Sequence, residues 1–166
     1  MSKAERQFAL DSSVILDFHK VGLLDTLFSL PFAFVVTNLI AEDLDEPDLQ
    51  TLVNAGVRVE ALDGPQFESV SDIADQFPFL SIYDSSLLWW AKLHSVGILT
   101  GDKPLRLVAH SEKVLCHGSI WLLEQLIARG TIPRPEAVVA LSRMLSLGRR
   151  LPVDECKKRI AEWERG

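Results

Sequence analysis

Asp84 and Asp102 stand eighteen positions apart in the stretch FLSIYDSSLLWWAKLHSVGILTGDKPLR (79–106), and Asp11 and Glu42 occupy comparable settings earlier in the chain. Four carboxylates with no convergent His or Cys make a hard oxygen donor set, which selects Mg2+ or Mn2+ over zinc. One such ion, or two roughly 4 Å apart, would clamp a phosphodiester and activate the attacking water. Each acid also has an ordinary reading as a helix cap. Ser81-x-x-Asp84 fits a capping box, while Asp102 before Lys103-Pro104 and Asp11 before Ser12 fit N-caps. Caps are commoner than metal ligands, so the metal reading rests on the four acids converging.

Convergence requires elements that bring the four to one edge. Residues 7–11 read as a strand ending in Asp11, with Ser12 and Ser13 offering hydroxyls and N–H groups at the start of the helix that follows. A short helix over 21–30 stops at Pro31 before a buried strand at 33–37, and Thr37-Asn38 cap a helix that carries Glu42 about one turn in. Asp43, Asp45, Glu46 and Asp48 read as a solvated turn. A helix to Gly56, an alternating edge strand at 57–60 and a helix over 64–76 lead into the central stretch. There a helix reversing at Gly97 feeds a strand at 97–100, so that Asp84 at a helix start and Asp102 past a strand end face one cleft. Another helix, a strand at 113–116 and an apolar helix closed by Gly130 follow. Two more helices, separated by Gly148-Arg149-Arg150-Leu151-Pro152, end the sequence. The expected fold is α/β: a three-layer α/β/α sandwich around a mostly parallel five-stranded sheet. Residues 1–130 are expected to form the sheet-bearing unit and 131–166 a helical extension packed on it.

Composition sets the bounds. The 166 residues are 48% hydrophobic, enough for one well-buried core. The apolar runs are too short to span a bilayer, and MSKAERQFALDSS lacks a signal-peptide core, so a soluble cytoplasmic protein with no membrane partner is expected. Cys116 and Cys156 suggest neither a disulfide framework nor a zinc knuckle. The net charge of −6 is unevenly spread: residues 1–98 hold 5 Lys/Arg against 15 Asp/Glu, and residues 99–166 hold 12 against 8. An acidic cleft beside a basic flank suits an enzyme acting on a polyanion. Lys103, Arg106, Arg149 and Arg150 are the candidate phosphate contacts, although solvated helix ends would look the same in sequence.

The motifs LDSSVILDF (10–18), VTNLIAEDL (36–44) and SIYDSSLLWWAKLHSVGILTGDKPLR (81–106) resemble the PIN domain family, the metal-dependent nucleases that include VapC-type toxins. The resemblance runs from about residue 7 to the helix ending near Arg129. It implies that Asp11, Glu42, Asp84 and Asp102 bind Mg2+ or Mn2+, that Ser12 and Thr100 support the site, and that the activity is endoribonucleolytic. It further implies an RNA substrate, a possible antitoxin partner and a homodimer paired through helices. Trp89 and Trp90, adjacent on one helix, and Trp163 add a physical ground for the dimer, because one helix face cannot bury neighbouring residues. The two C-terminal helices depart from the minimal toxins. The rival reading is a PIN-like module that binds nucleic acid or a partner protein without cutting. A DxD phosphatase is disfavoured because Ser13 stands two after Asp11. A receiver domain is disfavoured because Thr100 and Lys103 are only three apart.

Overall fold

The protein is described from a computed structural model that covers residues 6–166. Residues 1–5, the start of the segment expected to lack a signal core, lie outside the described residues. In chain order the elements are β1 (Arg6–Leu10), α1 (Ser12–Lys20), α2 (Leu24–Phe28), β2 (Phe32–Thr37), α3 (Asn38–Asp43), α4 (Leu49–Asn54), β3 (Arg58–Glu60) and α5 (Gly64–Gln76). They continue with α6 (Ile82–His94), β4 (Gly97–Leu99), α7 (Lys103–Ser111), β5 (Cys116–His117), α8 (Ser119–Ala128), α9 (Arg134–Ser146) and α10 (Val153–Glu164).

All strand pairs are parallel, in the order β3-β2-β1-β4-β5. A parallel sheet carries helices on both faces, so its inner strands must be apolar throughout. Phe8, Ala9 and Leu10 of β1 and all of β4 are accordingly buried. β3 is the exposed edge that its polar alternation predicts. The chain winds outward from β1 in one direction through β2 and β3, then returns to the other side of β1 through β4 and β5. The carboxyl ends of β1 and β4 therefore flank the point where the winding reverses, the usual place for a ligand in such sheets.

Two boundaries differ from expectation. The strand expected at 113–116 forms at Cys116–His117, because Lys113 adopts φ 60° and terminates α7. Its N–H bonds to the His110 carbonyl and that of Val114 to the Ala109 carbonyl, a Schellman closure that uses up residues 113 and 114. The reversal after α6 falls on Ser95, at φ 55°, and not on Gly97. Gly97 is needed for space instead, since a Cβ there would lie 3.0 Å from a ring carbon of Phe8.

Ala137, Leu141 and Met144 of α9 and Cys156 and Trp163 of α10 belong to the same hydrophobic core as the strands. Trp90 and Trp163 are buried and Trp89 is half-buried. The chain itself covers two of these three rings, which weakens the ground for expecting a second subunit to cover them. Among the described residues, no helix is long and apolar enough to cross a membrane.

Candidate functional site

Asp11 immediately follows β1, and its backbone N–H donates to the Leu99 carbonyl over 2.9 Å, which joins the ends of β1 and β4. It occupies the N-cap position of α1, yet its carboxylate caps nothing there. Its Oδ2 accepts hydroxyl hydrogen bonds from Thr100 at 2.6 Å and Ser13 at 2.8 Å, while Oδ1 has only the Ser12 hydroxyl, at 3.5 Å. One oxygen is thus saturated and the other left open to a ligand. Burial pushes the carboxyl pKa up; the Thr100 and Ser13 hydrogen bonds oppose that, and the charge of Asp102 adds to it. The Gly101 N–H donates to the Ser13 hydroxyl over 3.0 Å, and the Asp102 N–H to the Thr100 hydroxyl over 3.0 Å. The two hydroxyls therefore knit the β1 and β4 ends into a single edge.

Asp102 is the N-cap of α7, and its Oδ2 accepts the Leu105 N–H over 3.1 Å. The cap occupies one oxygen, so the cap and ligand readings do not compete. Asp84 lies in the first turn of α6, whose N-cap Ser81 accepts the Asp84 N–H over 3.0 Å. Its carboxyl is raised to about 6, first by burial and then by the negative charges of Asp11 and Asp102, with Ser81 pulling the other way. Asp11, Asp84 and Asp102 thus share one electrostatic environment.

These three acids line a cleft of about 410 Å³. Asp17 and Asp43 line it as well; Glu42, exposed like Asp43, is not part of the lining. The sequence reading placed Glu42 in the site and Asp43 in a solvated turn. Ile40 and Ala41 of α3, with Leu44 at its C-cap, are buried, and successive helical residues are about 100° apart around the axis. On that spacing residue 42 points most nearly away from the buried stripe and residue 43 lies beside it. A buried hydrogen bond of 2.8 Å between the hydroxyls of Thr37 and Ser86 ties the start of α3 to α6, which carries Asp84.

Of the expected supporting residues, Ser12 lines the cleft, and Thr100 is buried behind it and holds Asp11. Arg149 and Arg150 also line it, contributed by the loop between α9 and α10. Arg149 is already engaged: Nε donates to Asp17 Oδ1 over 2.6 Å and the guanidinium to the Ser13 carbonyl over 3.2 Å. Asp17 is buried on α1 and its other oxygen accepts the Ser119 hydroxyl over 2.7 Å. Burial raises its carboxyl, against the pull of Arg149 and Ser119. Lys103 and Arg106 do not reach the acid cleft and line the groove beside it. Asp17 is the cleft acid that has no role in the sequence reading; its one signal is DSSVILD, which sets it six positions after Asp11 on the helix that Asp11 opens.

The donor chemistry of the cleft is carboxylate and hydroxyl oxygen, which fits a hard divalent cation. Cys116 does not extend that set, because burial pushes its thiol up to about 11, and the His117 ring lies flat on Trp121 at 3.9 Å. Among the described residues, no group of three or more His, Cys, Asp or Glu stands in an arrangement that could hold a metal ion as it is.

A PIN domain family model, DUF3368, matches residues 7–165, and so includes both C-terminal helices. PAE2754 from Pyrobaculum aerophilum, known from its crystal structure, is similar in fold. The TM-score is 0.53 at 16% sequence identity, covering 75% of this chain and 99% of that one. No curated protein matches the chain.

Proposed function

We propose, from the premise that this chain belongs to the PIN domain family, that it is a Mg2+- or Mn2+-dependent endoribonuclease. The nuclease-type fold is the family's; the reaction is our reading. The observation that carries it is the state of Asp84, a half-buried carboxyl held at about 6 by burial and by Asp11 and Asp102 at the switch point of the sheet. Like charges gathered in this way are costly without a cation between them. An acid in a cleft that is perturbed by desolvation and by named charged neighbours is a candidate functional residue.

When bound, a divalent ion supplies a more acidic water and positive charge for the phosphate. The chain's own part follows from the geometry. Asp11 presents Oδ1, because Thr100 and Ser13 fix Oδ2. Asp102 presents the oxygen that its cap leaves free. Asp43 completes the ligand set in the place expected of Glu42. Asp84, raised to about 6 by burial and by Asp11 and Asp102, is the carboxylate whose ionised form gains most from a cation in the cleft. Arg150 meets the phosphate, with Lys103 and Arg106 beyond it. Arg149 positions the loop that carries Arg150.

A toxin role with an antitoxin, and pairing as a homodimer, belong to the same proposal and are supported by the family resemblance alone. Light scattering separates the 18.5 kDa chain from its dimer. The second reading is a module that binds nucleic acid or a partner without cutting, favoured by the absence of a ready three-acid cage among the described residues. Incubation with an RNA pool decides between them. Cleavage that needs Mg2+ or Mn2+, stops in EDTA and is lost in Asp11→Asn supports the nuclease; cleavage that persists in EDTA, or none under any condition, rejects it.

A further inference from the structure

One aromatic side chain of the acid cleft is used by neither the carboxylates nor the cations. Tyr83, the single tyrosine of the chain, precedes Asp84 in the first turn of α6 and lines the cleft. Its ring is half-buried and packs against the hydrophobic core. Its backbone is pinned as well: the Tyr83 carbonyl accepts the Ser86 hydroxyl over 2.6 Å, and that hydroxyl lies 2.8 Å from the hydroxyl of Thr37 at the end of β2. The tip of the side chain is different. No described residue hydrogen-bonds the Tyr83 hydroxyl, and among the described residues no buried side-chain oxygen or nitrogen lacks a partner, so this hydroxyl is open to solvent. A tyrosine with its ring held and its oxygen free is a fixed polar handle.

The other hydroxyls of the cleft are occupied. Ser13 donates to Asp11 and accepts the Gly101 N–H, Ser81 accepts the Asp84 N–H, and Ser12 leans on Asp11 at 3.5 Å. Tyr83 is therefore the long neutral group of the cleft that still has both a donor and an acceptor to offer. A further phosphate is a poor match for it, because Asp84 beside it, coupled to Asp11 and Asp102, repels any anion that no cation offsets. A sugar hydroxyl is a good match, being uncharged and, like the phenol, both donor and acceptor. We propose that the Tyr83 hydroxyl hydrogen-bonds the ribose 2′-hydroxyl of the nucleotide next to the phosphate that is cut, and is the residue that separates RNA from DNA. The inference rests on the ribonuclease reading and adds the means by which that site selects its sugar. A site that bonds a substrate hydroxyl disfavours the analogue lacking it, since its own polar group then goes unpaired.

The test is fluorescence anisotropy of the full chain with a short, labelled, unstructured RNA and with its all-deoxy counterpart. Deoxyuridine replaces uridine in the second strand, so that only the 2′-hydroxyls differ. Ca2+, a hard cation for the same oxygen donors, stands in for Mg2+. The wild type is expected to hold RNA roughly three- to tenfold tighter, the worth of about one neutral hydrogen bond. Tyr83→Phe keeps the ring and its packing; it is expected to lose that factor on RNA and to bind the deoxy strand as the wild type does. A wild type that binds the two strands equally, or neither, overturns the contact. So does a Tyr83→Phe variant that keeps the preference, or one that loses affinity equally for both strands, which would put the phenol on a phosphate instead. Cleavage by the same proteins in Mg2+ or Mn2+ separates the two proposals. A wild type that selects RNA through Tyr83 but never cuts sinks the nuclease reading and leaves the sugar contact standing; a wild type that cuts while Tyr83→Phe keeps its full preference for RNA sinks the contact alone.

Discussion

The Thr100 hydroxyl donates to Asp11 Oδ2 over 2.6 Å, joining the end of β4 to the end of β1 across 89 positions of sequence. Ser13 donates to the same oxygen. Thr100→Val keeps the shape and removes the donor, leaving a buried carboxylate with one strong hydrogen bond fewer. The expected loss is about 1–3 kcal/mol in urea denaturation at neutral pH. Thr100→Ser keeps the hydroxyl and should cost less; equal losses in both variants would assign the effect to the methyl group instead.

Asp84 makes stability depend on pH. Its folded pKa, about 6, lies above the ordinary 3.8, so the folded chain holds the proton longer than the unfolded one. The associated stability is fully present below about pH 4 and is lost as pH rises through 6. Discounted for the water that reaches this half-buried group, the loss is about 1–2 kcal/mol. In EDTA at pH 7.5, Asp84→Asn should therefore melt higher than the wild type, and the gap should close near pH 4. Added Mg2+ should narrow it from the other side by stabilising the wild type.

Arg149 and Asp17 form the most enclosed ion pair among the described residues. Removing the guanidinium leaves Asp17 buried with the Ser119 hydroxyl as its remaining partner. Arg149→Met is expected to cost about 3–5 kcal/mol at neutral pH. The cost should shrink in acid, where Asp17 can take a proton. Asp17→Asn combined with Arg149→Met should recover most of the loss in chemical denaturation, because neither charge is then stranded; an additive double variant would contradict the pairing.

Asp43 and Glu42 can be set against each other directly. Both are exposed, but Asp43 lines the cleft and Glu42 does not. Calorimetric titration with Mn2+ should show affinity reduced at least about tenfold in Asp43→Asn and little changed in Glu42→Gln. The reverse order would restore Glu42 to the ligand set.

Legibility in the sequence followed distance along the chain. β1, β2 and β4 are apolar runs closed by a turn residue or a cap, so period and punctuation are enough to find them, whereas the two-residue β5 carries too little pattern to fix its bounds. Asp11 and Asp102 were legible because they end such runs, and Asp84 because Ser81 marks a helix start three residues before it. Glu42 lies on the turn nearest the end of β2, which favours it in sequence, but α3 has only six residues, too few turns for periodicity to fix its phase. Glycine is the usual residue at such a reversal, so the sequence points to Gly97. A Ser95 in the left-handed region, stabilised by the Val96 N–H bonding back to the Ala91 carbonyl, leaves no sequence mark. The Asp17–Arg149 pair spans 132 positions and arises only from tertiary packing.

That pair also sets an order in time. The loop bearing Gly148, Arg149 and Arg150 is the last part of the cleft wall to be synthesised, after every strand and every acid it faces. At about 5–20 residues per second, domains begin to fold while synthesis continues. Until the growing chain has passed Arg149, Asp17 has no guanidinium partner and the cleft has no cationic side. Whatever the site does to a polyanion, it acquires the means to hold one only after every strand and every acid of the cleft has been made.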